Sequence, residues 1–416
     1  MSNVKATIIT IGDELLIGQT IDTNSAWMAQ RLNLLGIDVV RRIAVGDTRD
    51  GIWNALAEEL ARNELIIITG GLGPTADDIT KPLLCEFFGG KLVVDENVLE
   101  HIKGMFIRRN RPFLERNLKQ AEVPDVCTVL GNRLGTAPGM WFERDNSIII
   151  SLPGVPFEME CIMEDEVLPR LKERFQSDAL EHRNIITAGE GESFIAEQIL
   201  DLETTLPAYI KLAYLPSPGI VKLRLTGRGS DEAQLIKELE HHQQLLAVRL
   251  KRCVVALEDI SLEQILGDLL REKGLTLGLA ESCTGGYIGH KITQVPGSSD
   301  YFHGSIVCYH EQVKKDILGV RQETLDEYSV VSEQVAIQMA EGARRVLKTA
   351  VGFGITGLLS ASGDYRVPVG TICVALTDKD RTISKTFHVH SDRLRNKEMA
   401  VGTSLLLILR FVKSMI

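Results

Sequence analysis

The chain has 416 residues, of which 44% are hydrophobic and 25% charged, and its formal net charge is −10. One hydrophobic core stops growing at about 250–300 residues, so this length predicts several domains, and the average composition excludes long disordered or collagen-like tracts. No run approaches the roughly 18 apolar residues of a membrane helix. The acidic balance disfavours direct nucleic-acid binding, which needs clustered Lys and Arg. We therefore expect a cytoplasmic protein that does not enter a membrane.

The seven cysteines are scattered and include no C-x-x-C pair. This pattern predicts neither a disulfide framework nor a structural zinc site. Most of them lie in apolar neighbourhoods, so we expect small buried thiols.

The first block, residues 1–175, alternates strand-like and helix-like patterns. Continuous Ile and Val runs between helices indicate a parallel sheet covered on both faces, and Asn24 is a candidate cap for the first helix. Ligands of such sheets bind beyond the carboxyl ends of the strands, where loops 12–23, 70–80 and 153–156 follow. The predicted strands are 5–11, 39–45, 65–69 and 147–152, and the predicted helices are 25–35, 52–61 and 157–175.

The rest of the chain divides into a linker and two further blocks. The polar stretch 176–183 is typical of a linker, and residues 184–256 have the pattern of a small α+β module. Residues 227–230 invite comparison with the GXXG clamp of RNA-binding KH domains but do not fit it, so we expect a connector without chemistry. Residues 260–416 predict a second α/β domain.

The loop after strand 65–69 combines glycines with acidic residues. The glycines in 70–73 let the backbone approach a ligand, and amides at a helix start favour an anion such as phosphate. Thr75 and Asp78 have the spacing of a capping pair. Asp77 and Asp78 also form, together with Lys81, the mixture expected where a hard metal ion bridges substrate phosphates. Spacing alone leaves both interpretations open.

Three more loops of the first block are candidates for a binding site. They cover residues 12–19, 132–139 and 152–156, and they are rich in Gly, Pro or acidic residues. Each alone usually only turns the chain. Four such loops in one domain, three of them after strands, exceed what turn chemistry predicts.

These loops carry a family resemblance. GDELLIGQTIDTNSA at 12–26, TGGLGPTADDIT at 69–80, NRLGTAPGMW at 132–141 and LPGVPFEM at 152–159 resemble the signatures of the CinA family. The resemblance runs essentially end to end and implies a molybdopterin-binding-like three-layer N-terminal domain, a small α+β middle module and a second α/β C-terminal domain. It also implies a metal-dependent ADP-ribose pyrophosphatase that yields AMP and ribose 5-phosphate, a nicotinamide-mononucleotide deamidase in the last domain, and a homodimer.

For the first domain the resemblance implies hydrolysis of a diphosphate. We expect a divalent ion, Mg²⁺, held by Asp77 or Asp78, to bridge phosphate oxygens, with Lys81 as a further cation. Glu14 or Asp13 would position or deprotonate the attacking water. The residues expected to contact this substrate are Gly12, Asp13, Asp22, Asn24, Gly70, Gly71, Gly73, Thr75, Gly135, Thr136, Pro153 and Gly154.

For the last domain the candidate is the segment AESCTGG at 280–286. From spacing alone Ser282 is an ordinary helix cap. The deamidase family has the same motif, which implies that Ser282 is the nucleophile of a Ser-Lys arrangement with Lys314 and Tyr309. Cys283 is a rival nucleophile, although a buried thiol is the expected state. Other residues expected at this site are Thr284, Gly285, Gly286 and Arg393, the last of which would suit a phosphate.

The last domain also departs from the family pattern. Segment 358–364 is one residue short and lacks most of the usual glycines, and His310 replaces the usual asparagine. Two alternative interpretations stay open. In the first, the protein is a nucleotide- or pterin-binding regulator without turnover. In the second, it is a pyrophosphatase whose last domain is an inert scaffold.

Overall fold

A computed structural model describes residues 4–75, 78–175, 178–217, 219–360 and 366–414, apart from the side chains of residues 115 and 116. The chain forms two compact units, Met1–Glu181 with Gly227–Ile236, and His182–Thr226 with Lys237–Ile416. Within the described ranges no helix is both long and apolar enough to cross a membrane.

The first unit contains eight strands and eight helices in its part before residue 175. The strands are β1 (Lys5–Ile11), β2 (Asp38–Val45), β3 (Leu65–Thr69), β4 (Leu92–Val94), β5 (Glu122–Pro124), β6 (Thr128–Leu130), β7 (Gly139–Arg144) and β8 (Ser147–Leu152). The helices are α1 (Asp13–Leu16), α2 (Thr23–Leu34), α3 (Arg49–Leu60), α4 (Thr80–Phe87), α5 (Glu96–Arg108), α6 (Glu115–Leu118), α7 (Pro156–Ile162) and α8 (Leu168–Arg174).

The main sheet of this unit has the strand order β2-β1-β3-β8-β7-β6. The first four strands pair in parallel, as the sequence predicts, whereas β7 pairs antiparallel with β8 and with β6. The four strands predicted from the sequence are therefore the parallel ones, and β7 and β6 add an antiparallel edge that was not predicted. The reason is the short turn at Asp145, whose φ is 54°, because a connection of about two residues can join only antiparallel strands.

Alternate residues of the central strands face opposite layers of helices. Ala6 and Ile8 pack in one core with Met28 of α2, whereas Ile9 packs in the other core with Ile52 of α3. This follows from the two-residue period of a strand. The result is the three-layer arrangement that the sequence predicts.

Three local predictions in this unit need correction. Asp22, not Asn24, caps α2, because its carboxylate accepts the Ser25 N–H at 2.9 Å. The helix predicted at 157–175 contains a π-helical turn, Met163–Val167, between α7 and α8. The predicted linker 176–183 ends early, because a strand begins at Ala179.

The remaining strands are β9 (Ala179–Ala188), β10 (Ile210–Ser217), β11 (Ile220–Gly229), β12 (Val254–Ala256), β13 (Leu277–Glu281), β14 (Phe302–Val307), β15 (Val351–Gly357), β16 (Thr371–Thr377) and β17 (Thr382–His388). The remaining helices are α9 (Glu192–Thr204), α10 (Glu232–Arg249), α11 (Leu262–Glu272), α12 (Tyr287–Thr293), α13 (Glu311–Asp316), α14 (Gln322–Tyr328), α15 (Glu333–Leu347) and α16 (Arg393–Lys413). Strands β9 to β12 form one sheet in the order β10-β11-β9-β12, and β13 to β17 form a second in the order β14-β13-β15-β16-β17.

The second of these sheets is also covered on both faces. Leu279 and Phe353 pack with Leu405 of α16 in one core, whereas Ala280 packs with Met339 of α15 on the opposite face. β13 pairs in parallel with β14 and β15, so the segment after β13, which carries Ser282, lies at the carboxyl end of a central parallel strand. Ligands of α/β sheets bind at such ends.

Candidate active sites

A cavity of about 570 Å³ opens in the first unit where β1, β3 and β8 end. Loops 12–23, 70–80 and 153–156 meet at this edge, as the parallel pairing predicts. The lining residues are Ile11, Gly12, Glu14, Asp47, Gly70, Gly71, Leu72, Gly73, Pro74, Asp78, Gln120, Thr136, Ala137, Pro153, Gly154, Val155, Pro156 and Glu158. We call this space the acidic cavity because four of these residues, Glu14, Asp47, Asp78 and Glu158, are carboxylates.

The glycine loop uses part of its predicted phosphate cradle within the protein. The Gly70 N–H donates to the Leu152 carbonyl at 3.1 Å, and the Gly73 N–H donates to the Asp78 carboxylate at 2.8 Å. A Cβ at Gly70 would overlap the Ile11 carbonyl, so this glycine serves close approach of two strand ends. The amides of Gly71 and Leu72 donate to no acceptor among the described residues, so the predicted cradle is reduced to these two.

The Asp78 carboxylate stabilises the glycine loop, residues 70–75, through hydrogen bonds. It accepts hydrogen bonds from the Gly73 N–H, and from the Thr75 N–H at 2.8 Å and the Thr75 hydroxyl. Thr75 and Asp78 do pair, as their spacing predicts, but they do not cap a helix, because α4 begins only at Thr80. Asp77 lies outside the described residues.

The other carboxylates of the acidic cavity come from three segments, namely α1, the residues after β2 and the first turn of α7. Glu14 folds back over Gly12, where a Cβ would meet its carboxylate, and none of the residues that the structure describes donates a hydrogen bond to it. Asp47 and Asp13 exchange backbone-to-carboxylate hydrogen bonds of 3.0 and 3.2 Å. Glu158 accepts the Asn132 amide at 2.7 Å.

Sequence reasoning missed Asp47, Gln120 and Glu158. Asp47 follows the end of β2, the same signal that singled out the other loops. Glu158 lies in the first turn of α7, inside a quoted family motif. No Lys, Arg or His is among the described residues that line the acidic cavity.

Six of the described residues predicted for this site do not line the acidic cavity, namely Asp13, Asp22, Asn24, Thr75, Lys81 and Gly135. The Lys81 ammonium donates to the Lys119 carbonyl at 2.6 Å and does not line the acidic cavity, so its expected role as a phosphate cation does not fit. Asp22 and Asn24 line a smaller adjoining cavity of about 120 Å³. The Asn24 amide donates to the Gly154 carbonyl at 2.8 Å, which ties two of the loops together. Gly135 lines a further cavity on the far side of its loop.

The second unit brings Ser282 and Lys314 together. Ser282 follows β13, and Lys314 lies on α13. The Lys314 Nζ is 3.0 Å from the Ser282 Oγ and 2.6 Å from the Cys308 carbonyl. Lys314 is fully buried, and this burial lowers its pKa. A buried lysine next to a serine hydroxyl is the arrangement of a serine–lysine hydrolase.

A cavity of about 130 Å³ surrounds this pair. Tyr309 and Arg393 line it, and the Arg393 guanidinium donates to the Tyr309 hydroxyl at 3.0 Å and to the Ser360 hydroxyl at 2.9 Å. Glu311 lines it as well and was missed from sequence. His310 caps α13 through its ring, which receives the Gln312 N–H. Of the altered segment 358–364, residues 361–364 lie outside the described residues.

The loop after Ser282 is held by the buried carboxylate of Glu281. It accepts four hydrogen bonds, from the Thr284 and Ser305 hydroxyls and from the Ile288 and Gly289 N–H groups, at 2.7 to 3.0 Å. Thr284 is therefore fully buried and does not line the cavity, which corrects its expected substrate contact.

The same loop also contains two glycines with predicted substrate contacts and the rival nucleophile Cys283. Gly285 and Gly286 have φ of 62° and 92° and form the turn into α12 without lining the cavity, which also corrects their predicted role. Burial raises the pKa of Cys283 to about 12, so this thiol stays protonated. A protonated thiol is a poor nucleophile.

Three family models match successive parts of the chain. They are described as "Probable molybdopterin binding domain" over residues 7–173, "Damage-inducible protein CinA KH domain" over 182–256 and "CinA C-terminal domain" over 259–412. A CinA-like protein of Flavobacterium psychrophilum is 45% identical over 408 residues, which cover 97% of this chain and 98% of that protein. The chain belongs to the CinA family.

Other CinA relatives match over the same length. A CinA-like protein of Cytophaga hutchinsonii is 42% identical over 413 residues, or 99% of each chain. Among solved structures, CinA of Thermoplasma acidophilum, described as of unknown function, is 34% identical with a TM-score of 0.37. It covers 41% of this chain and 98% of its own. The KH model covers residues 227–230, where β11 continues to Gly229.

Proposed function

We propose that the acidic cavity hydrolyses ADP-ribose to AMP and ribose 5-phosphate with the help of a divalent cation. The observation that carries this proposal is the cavity's lining of four carboxylates without a Lys, Arg or His among its described residues. A diphosphate carries negative charge and would be repelled by such a lining. The amides of Gly70 and Gly73 already bond within the protein, so they do not offset the repulsion.

A divalent cation resolves this conflict. The donors present are carboxylate oxygens, which suit Mg²⁺, and Mg²⁺ is commonly held by one or two carboxylates together with substrate phosphates and waters. Among the described residues, no group of three or more acidic, histidine or cysteine side chains is placed to hold a metal ion by itself. This agrees with an ion that is held partly by the protein and partly by the substrate phosphates. Asp47 and Glu158 would hold the ion, with Asp78 fixing the loop beside it. When bound, it would neutralise charge on the phosphate oxygens.

The protein's own residues account for the water attack. Within the described part of the chain no group donates a hydrogen bond to the Glu14 carboxylate, so this carboxylate can accept a proton from the attacking water. The water oxygen bonds to one phosphorus, the bond from that phosphorus to the bridging oxygen breaks, and the other phosphate leaves. Asn24 and Asp78 hold the surrounding loops in place.

Chromatography of the products tests this proposal. The purified chain with ADP-ribose and Mg²⁺ should yield AMP and ribose 5-phosphate in equal amounts, and a chelator should stop the reaction. Glu14→Gln should lower the rate by about 100-fold, the usual contribution of a general base. Glu100→Gln, an exposed acid on α5 that does not line the acidic cavity, is the matched control. Undiminished turnover in the chelator contradicts the proposal.

We also propose that the second unit deamidates nicotinamide mononucleotide. This proposal rests on the 3.0 Å contact between the Lys314 Nζ and the Ser282 Oγ. A neutral lysine would donate its two N–H bonds to the Cys308 and Tyr309 carbonyls and direct its lone pair at the serine hydroxyl. Burial favours this neutral form.

The reaction then follows in two steps. Ser282 Oγ attacks the carboxamide carbon and its proton passes to Lys314, and ammonia leaves with that proton as the acyl-enzyme forms. Water then gives its proton to Lys314, attacks the acyl carbon and releases nicotinic acid mononucleotide, after which Lys314 returns the proton to Ser282. Arg393, at the exposed rim, would bind the phosphate.

Replacing each candidate nucleophile tests this proposal. Ser282→Ala should abolish formation of nicotinic acid mononucleotide, whereas Cys283→Ala should keep measurable turnover because its thiol is protonated. The reverse result would make Cys283 the nucleophile. If the parent chain gives no product at all, the last domain is a scaffold. If neither unit turns over its substrate, the protein is a binding regulator.

A further inference from the structure

A second cavity of about 410 Å³ lies in the first unit beside the acidic cavity. It is formed by the first half of α5, the segment from Val129 to Pro138 and the π-helical turn. The candidate loop 132–139 contributes to it, and Gly135 and Thr136 are the lining residues for which the sequence predicts a substrate contact. Thr136 lines both cavities, and the Gln120 amide fixes its hydroxyl at 2.8 Å. Thr136 therefore marks the boundary at which the two cavities adjoin.

The π-helical turn places two neighbouring acids on this cavity. Asp165 and Glu166 both line it, although consecutive residues of a regular α-helix point about 100° apart. π-helical turns inside α-helices occur frequently at functional sites. The Glu166 Oε1 lies 3.8 Å from the position of a Cβ on Gly131, so the carboxylate rests against the opposite wall.

The lining favours hydroxyl groups over phosphate. The one cation among its described lining residues is Arg133, whose guanidinium donates to Asp165 at 2.6 Å. Glu166 pairs through its Oε2 with Arg170, which does not line the cavity, so the described lining itself has three carboxylates and one guanidinium. Carboxylates accept hydrogen bonds from sugar hydroxyls, as in the binding of a ribose by an acidic residue in dinucleotide sites. No Phe, Tyr or Trp is among the described lining residues, so a stacking surface for a base is missing from this part of the chain.

His101 adds a polar group opposite the acids. Its Nε2 is 3.3 Å from the Gly135 carbonyl, and if Nε2 carries the proton of the neutral ring, Nδ1 is left as an acceptor. Acceptors on both sides of a cavity suit a ligand with several hydroxyl donors.

We propose that this sugar cavity binds the terminal ribose of a nucleoside diphosphate sugar whose diphosphate lies in the acidic cavity. The inference rests on the proposed hydrolysis of ADP-ribose. It adds the orientation of the bound substrate, whose ribose 5-phosphate half lies beside Thr136. Glu166 and Asp165 are the specificity-determining acceptors. A nucleoside diphosphate without the sugar loses these contacts.

Calorimetric titration of the full chain with ribose 5-phosphate and with AMP, each with Mg²⁺, tests the proposal. Glu166→Gln should weaken ribose 5-phosphate binding about five- to tenfold, because a hydrogen bond to a charged acceptor is about twice as strong as one to a neutral acceptor. AMP binding should not change. The matched control is Glu164→Gln, since Glu164 belongs to the same π-helical turn but pairs with Arg31 and does not line the sugar cavity.

Each outcome decides one claim. Weaker ribose 5-phosphate binding in Glu166→Gln alone, with a matching rise in KM for ADP-ribose, supports the sugar cavity. No binding of ribose 5-phosphate by the parent chain overturns it, as does equal weakening of AMP. If ribose 5-phosphate binds as predicted but ADP-ribose is not cleaved, the sugar cavity stands and the proposed hydrolysis fails.

Discussion

Glu281→Gln tests whether one buried carboxylate holds the segment that carries Ser282. Each Glu281 oxygen accepts one hydroxyl and one backbone N–H. One oxygen takes Thr284 and Ile288, and the other takes Ser305 and Gly289. A glutamine must put its NH₂ group where one oxygen stood. In either orientation, that group faces a backbone N–H that cannot turn away.

The expected loss follows from these contacts. A serine or threonine hydroxyl can rotate and accept from the new amide, but the opposed backbone N–H loses its acceptor in a fully buried place. An unsatisfied buried donor costs about 1–3 kcal/mol, and the remaining bonds weaken because the charge is gone. We expect a local loss of about 2–4 kcal/mol, which corresponds to a roughly 30- to 900-fold larger equilibrium constant for local opening.

Hydrogen exchange measured by mass spectrometry is the suitable assay, because all three tryptophans lie in the first unit and do not report on this loop. Peptides covering residues 281–293 should exchange faster by the expected factor, and deamidation should fall. The control is Glu333→Gln, because the Glu333 carboxylate also accepts two hydroxyls, those of Ser384 and Thr386, but is only partly buried, so that water can satisfy a donor that loses its acceptor. Unchanged exchange in Glu281→Gln, or an equal effect in both variants, would refute the reasoning.

Three further predictions concern the two lysines and the serine. Lys314→Met should abolish deamidation as Ser282→Ala does, while the rate of ADP-ribose hydrolysis stays unchanged in both variants. Product chromatography measures the two activities separately. Loss of both activities in one variant would contradict their independence. Because burial lowers the pKa of Lys314 below its ordinary 10.5, kcat/KM for nicotinamide mononucleotide should rise with pH and level off below pH 10.5, and a profile without this rise would exclude a lysine base. Lys81→Met should change KM for ADP-ribose less than about twofold, since its ammonium binds the Lys119 carbonyl and a lost cation–phosphate contact would cost far more.

The sheet edge that carries the first site could be predicted because its strands are strongly marked. LIIIT and SIIISL are continuous apolar runs, and both strands are completely or almost completely buried. Parallel pairing then brings their following loops together. The hairpin of β7 and β8 was not predicted because its turn at Asp145 contains no Gly, which is the usual sequence signal of a hairpin turn.

The chemistry inside the loops could not be predicted from spacing. The fate of the Gly70 amide depends on the Leu152 carbonyl of a strand 82 positions later in the chain. Lys314 and Lys315 are adjacent on α13, yet the first is buried beside Ser282 and the second bonds Gln322 at the surface. Only tertiary packing separates them, so the family motif, rather than periodicity, identified the relevant lysine.

The most direct test of the account is one reaction that contains the purified chain, Mg²⁺, ADP-ribose and nicotinamide mononucleotide, followed by chromatography. The account predicts AMP and nicotinic acid mononucleotide together from the parent chain, only AMP from Ser282→Ala, and nicotinic acid mononucleotide with little AMP from Glu14→Gln. Loss of both products in either variant, or unchanged products in both, would contradict two independent hydrolytic sites built on these residues.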